Sequence, residues 1–102
     1  MKISYRRTGG FAGMVMSFDI NTELLAPEEA NELNKLVDSA GFFELPPVIP
    51  SAGQGVDQFQ YRLTVETVEQ EYTVEVGDGA VPENLWPLLD KLRILSRSNR
   101  NS

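Results

Sequence analysis

Phe59-Gln60-Tyr61-Arg62-Leu63-Thr64-Val65-Glu66 and, after a short break, Glu71-Tyr72-Thr73-Val74-Glu75-Val76 decide the fold of this chain. In both runs every second residue is apolar, the period of a strand buried on one face. A turn around Val68-Glu69 places Val65 beside Tyr72, Leu63 beside Val74 and Tyr61 beside Val76, so all six lie on one face. The same register sets Arg62 opposite Glu75, a favourable cross-strand pair, and Glu66 opposite Glu71, an unfavourable one that solvent tolerates.

Working outward, Met14, Met16, Phe18 and Ile20 alternate with Ser17 and Asp19, and Ile3 and Tyr5 alternate within residues 2–7. These read as a second hairpin. Between the hairpins, Pro27 suits a first helical position, and Glu28 and Glu29 follow where negative charge meets the positive helix end. Ala30, Leu33, Leu36, Val37 and Ala40 then recur at helical spacing, and Gly41 stands where a left-handed cap is expected. A helix over 27–40 follows. Pro82 and Glu83 open a second helix with Val81, Leu85, Leu88, Leu92 and Leu95 as its stripe. Pro87 lies near its start. The order ββαββα predicts an α+β domain, with a four-stranded antiparallel sheet and two helices on one face. Residues 1–95 form the domain and 96–102 a polar, frayed tail.

Residues 42–57 read as a long irregular connection, stiff where three prolines fall and flexible where Gly53 and Gly55 fall, with Phe42, Phe43 and Leu45 tucked into the core. The first helix, at 1.5 Å per residue, is about as long as a strand and should return the chain to the end where the first hairpin turns. Three glycine-containing segments then share that end: Thr8-Gly9-Gly10-Phe11-Ala12-Gly13, Ser51-Ala52-Gly53-Gln54-Gly55-Val56-Asp57, and Gly77-Asp78-Gly79.

Composition removes most chemistry. The 102 residues contain neither cysteine nor histidine, so disulfides, thiolate or imidazole metal sites and the common nucleophile–base pairs are absent. The net charge of −6 argues against nucleic acid. No apolar run approaches a membrane span. Residues 1–7 have no apolar stretch of the signal-peptide kind, so a cytoplasmic location is expected, with export by another route left open. Asp57 and Asp78 form the one candidate acid pair, but they sit in loops without an apolar pocket to shift a pKa. A phosphate loop would need a Lys-Ser/Thr after the glycines, and Gly13 leads instead into a strand. No cofactor is expected and no enzymatic activity. Binding through mobile loops remains.

The residues also carry a resemblance. Arg6-Arg7-Thr8-Gly9-Gly10-Phe11-Ala12-Gly13, Pro27-Glu28-Glu29-Ala30, Phe42-Phe43, the run from Asp57 to Val65, Ala80-Val81-Pro82-Glu83 and Pro87-Leu88-Leu89-Asp90 together resemble the emfourin family, protein inhibitors of protealysin and other thermolysin-like zinc metalloproteases. The resemblance implies competitive, non-substrate-like blockage of an active-site cleft by two neighbouring loops. On that reading residues 8–13 form the first loop, with Phe11 as its apolar anchor. Residues 51–57 form the second, with Asp57 a candidate ligand to the target's zinc. Asp78 is a further candidate. The alternative is an interaction or assembly module without a protease target, pairing through its sheet edges or open face. The oligomeric state stays open between monomer and weak homodimer.

Overall fold

The computed structural model describes residues 1–9, 14–49 and 59–99. Five strands form one sheet: β1 (Lys2–Gly9), β2 (Met14–Asn21), β3 (Val48–Ile49), β4 (Phe59–Glu66) and β5 (Glu71–Gly77), in the spatial order β2-β1-β4-β5-β3. Two helices, α1 (Pro27–Ala40) and α2 (Trp86–Asn99), complete the domain. The hairpin β4–β5 has the register read from the sequence, with Val65 on Tyr72, Leu63 on Val74, Tyr61 on Val76 and Arg62 on Glu75. The Arg62–Glu75 pair closes at 3.7 Å, but half of each side chain is in water. Such a pair contributes under about 1 kcal/mol.

The hairpins join through β1 and β4, antiparallel, with Tyr5 opposite Leu63 and Ile3 opposite Val65. Those four residues, with Val74 and Val76, are buried under Leu33, Val37, Leu85, Leu88, Leu89 and Leu92 of the helical layer. The opposite face carries Ser4, Arg6, Ser17, Asp19, Arg62 and Glu75 and is exposed. The α+β class therefore holds, while the sheet itself needs correction.

The sheet is mixed and five-stranded rather than antiparallel and four-stranded, because β3 adds to β5 in parallel, Val48 on Glu75 and Ile49 on Val76. Two residues carry no readable period. What makes them a strand is the free edge of β5: Glu75 N–H donates to the Pro47 carbonyl at 2.8 Å. A proline can accept such a bond but not extend the ladder, which confines the segment to an edge. Tyr72 anchors the approach, its hydroxyl donating to the Leu45 carbonyl and its ring lying 5.9 Å from that of Phe42. Phe42 is buried, whereas Phe43 and Leu45 pack only partly against the core.

The helices differ from expectation in three places. First, α1 does not itself climb back to the turning end of the first hairpin. It begins near the β2 edge and ends beside Tyr72 near the start of β5, and residues 45–49 make the ascent along β5. Second, a 3-10 turn, Glu83–Leu85, precedes α2, so that Pro87 falls in the first turn of α2, where its missing N–H is harmless. Third, α2 continues through Asn99, into the stretch expected to be a tail. Ser96 is buried there, its hydroxyl donating to the Arg93 carbonyl at 2.8 Å.

Gly41 ends α1 in the left-handed region at φ 59°, its N–H donating to the Asp38 and Val37 carbonyls. A Cβ at this position would meet nothing within 4 Å. The cost of Gly41→Ala is therefore backbone strain alone, about 1 kcal/mol, read as a lowered urea midpoint at unchanged slope.

Candidate functional site

The candidate site is the end of the sheet where β1 stops. Gly9 closes β1 with φ 99°, a conformation that favours glycine, and it is in register with Met14 on one side and Phe59 on the other. Gln60 lies opposite Gly77, and Ile49 opposite Val76. The flanks of residues 10–13 and of residues 50–58 thus share one end of the sheet with the exit of β5. At ~4.8 Å per strand, the row from β2 to β3 is about 19 Å wide.

Of the residues singled out in the sequence, Thr8 sits in the last ranks of β1, opposite Val15 and Gln60, and Gly9 ends the strand. Asp78 opens the 3-10 turn Asp78–Ala80 directly after β5. Gly10, Phe11, Ala12 and Gly13, and Ser51, Ala52, Gly53, Gln54, Gly55, Val56 and Asp57, lie outside the described residues.

Sequence reasoning missed the ledge beneath this end. The alternation that buries Ile3 and Tyr5 sends Arg7 to the same face, where its guanidinium lies over the Phe59 ring, 4.6 Å from its centre. Next to it Tyr61 packs edge-on to Trp86 at 6.3 Å, and Trp86 stays 37% exposed at the head of α2. An arginine over an aromatic ring beside an accessible tryptophan is the side-chain chemistry that dominates protein interfaces. The signal was in the parity of residues 3, 5 and 7. What it lacked was the knowledge that the helical layer leaves position 7 only partly covered.

Among the described residues no group of three or more Asp, Glu, His or Cys side chains could hold a metal ion. Burial pushes the Tyr5 phenol above its usual 10.0, with the charges of Arg7 and Arg93 opposing the rise and Asp90 adding to it. Tyr5 is core, 2% exposed, and its titration bears on stability. A raised folded-state pKa means that the folded form holds the proton more tightly than the unfolded chain. The stability this adds is complete below pH ~10 and is lost as pH rises through the folded value. Unfolding free energy should hold up to about pH 10 and then fall, and Tyr5→Phe should make that alkaline limb shallower in pH-resolved urea titrations.

Fold and site together define a small α+β domain that presents one end of its sheet. The model of the Emfourin family matches residues 5–93, and the chain belongs to that family. It is not an enzyme. Among solved structures it is similar to emfourin (M4in) from Serratia proteamaculans, an M4 family peptidase inhibitor: 22% identity over 85% of this chain and 83% of that one, with a TM-score of 0.46. No curated protein matches.

Proposed function

We propose that this protein inhibits thermolysin-like zinc metalloproteases by filling their active-site cleft. Membership of the Emfourin family over residues 5–93 carries the reading. The convergence of the flanks at Gly9, Met14, Ile49 and Phe59 supports it, since two segments anchored on one rigid edge can enter one groove together. On this reading residues 8–13 enter first, with Phe11 as the apolar anchor. Residues 51–57 flank them, with Asp57 as a carboxylate facing the target's zinc and Asp78 at the rim. The ledge of Arg7, Phe59 and Trp86 rests on the lip of the cleft. Inhibition is competitive, and neither segment lies in the cleft as a substrate does.

The test is a titration. Increasing amounts of the purified protein are added to a thermolysin-like protease and casein cleavage is followed. Activity should vanish near a 1:1 ratio, to be regained as substrate is raised. Full activity of several such enzymes in the presence of excess protein would remove the proposal.

A further inference from the structure

The two edges of the sheet differ in a way that inhibition does not explain. The β3 edge is two residues long, preceded by Pro46-Pro47 and followed in sequence by Pro50, a blunt edge that resists further pairing. The β2 edge is eight residues long, without proline, in unbroken register with β1, and its one charged residue is Asp19. Among the described residues no strand pairs with its outer side. Val15 is 58% exposed on one face. On the other, Met16, Phe18 and Ile20 are only partly covered, and a cleft whose apolar lining includes Leu24, Leu25 and Leu95, with Asp19, Asn21 and Glu29 as its polar lining, opens beside them. Leu24 at its mouth is 84% exposed. Long, flat, apolar edges with so little charge are templates for strand pairing.

We propose that β2 is a self-association edge, through which two copies of this chain pair antiparallel into one continuous sheet. The occupant is read from the strand itself. Residues directly opposite in an antiparallel pair share a face, so a mate must repeat the alternation of β2 in the reverse direction. β2 does so against itself about a two-fold axis at Ser17 or at Phe18. In the first register Met16 meets Phe18 of the second copy and Asp19 meets Val15. In the second Met16 meets Ile20 and Asp19 meets Ser17. On the face of Met16, Phe18 and Ile20 apolar side chains meet apolar ones in both, the helical layers stay on one side, and Asp19 never faces its own copy. An axis midway between them would set Met16 against Asp19 and is excluded. The Met14 ends of the two strands point in opposite directions, so both loop ends stay free. Pairing and inhibition are thus separate properties, and either can fail alone.

A seam of about 26 Å falls in the size class of weak, transient interfaces. Each copy carries −6, so salt, by screening that repulsion, should strengthen the contact. The experiment is sedimentation equilibrium of the full chain at concentrations up to the order of 1 mM, in about 20 mM and about 300 mM NaCl. We expect a monomer–dimer equilibrium that favours the dimer at the higher salt. Ser17→Glu sets the introduced carboxylate against its own counterpart in the first register and against Asp19 of the second copy in the other. Like charges meet in either case, and association should weaken about tenfold. Ser39→Glu adds the same charge on the exposed side of α1 and should change it less than about twofold. Thermal melts confirm that both variants are folded. A protein monomeric throughout, association indifferent to Ser17→Glu, or a dimer that dissolves as salt rises would each overturn the proposal.

Discussion

Replacing Gly10-Phe11-Ala12-Gly13 by Asn-Gly is expected to weaken inhibition of a thermolysin-like protease by about 100-fold or more while moving Tm by less than about 3 °C. Gly9 and Met14 are directly opposite each other, so a two-residue turn bridges them without shifting the register of β1 on β2. Every pair from Lys2–Asn21 to Gly9–Met14 stays in place, and with it the core face of the hairpin. On the proposed reading, what is lost is an apolar anchor and the backbone around it. Central anchors in interfaces are each worth about 2–4 kcal/mol, or roughly 30- to 1,000-fold in affinity. Inhibition constants and melting curves of the same preparation check both halves. If Tm falls in step with inhibition, residues 10–13 support the fold and do not act on a target. If inhibition is intact, they are not the anchor.

Leu63→Ala should have the largest effect on stability, a loss of about 2–5 kcal/mol. Leu63 is 0% exposed in the middle of β4, with Tyr5 and Val74 directly beside it in the neighbouring strands. No partner strand or helix can close the space that three missing carbons leave without moving the sheet. Against a total of about 5–15 kcal/mol for a domain this size, such a loss lowers Tm by about 10–25 °C. Val68→Ala is the control: Val68 lies at the β4–β5 turn, fully exposed, and its truncation should stay within about 0.5 kcal/mol. Urea and thermal unfolding read both variants. Below the Leu63→Ala transition, inhibition per folded molecule should equal that of the parent, because Leu63 lies in the middle of β4, between Tyr5 and Val74, and not at the end where β4 begins. A cost under about 1 kcal/mol would contradict the burial described for β4.

The parts legible in the sequence were those whose signal is local and repeats. The helix over 27–40 was readable because Pro27, the two glutamates and Gly41 punctuate a 3.6-residue pattern, and each of these acts on its immediate neighbours. The register of β4 on β5 followed from matching two alternating runs across a short turn. Parts that depend on a distant segment were not readable. β3 exists because β5 has a free edge, and Val48-Ile49 among prolines has no period to betray it. The start of α2 at Trp86 instead of Pro82 depends on how the chain leaves β5 through two 3-10 turns. The ascent along β5, rather than along α1, is set by Tyr72 holding the Leu45 carbonyl.

The candidate site divides in the same way. Glycine density and the lack of histidine and cysteine pointed to binding loops and away from catalysis, since both follow from residue type alone. That Arg7 lies over Phe59, and that Trp86 stands beside them, required β1 to pair with β4 and α2 to start at that end. By itself, then, the sequence determined the strands and helices that carry a period, the register of β4 on β5, and which chemistries are excluded, because such properties are decided within a few residues of one another. Only the tertiary structure decided which hairpin edges join, which edge was left apolar and open, and by what route the chain returns to the end that the glycine-flanking residues share. Those outcomes depend on hydrogen bonds and packing between segments tens of residues apart, whose partners no local pattern names.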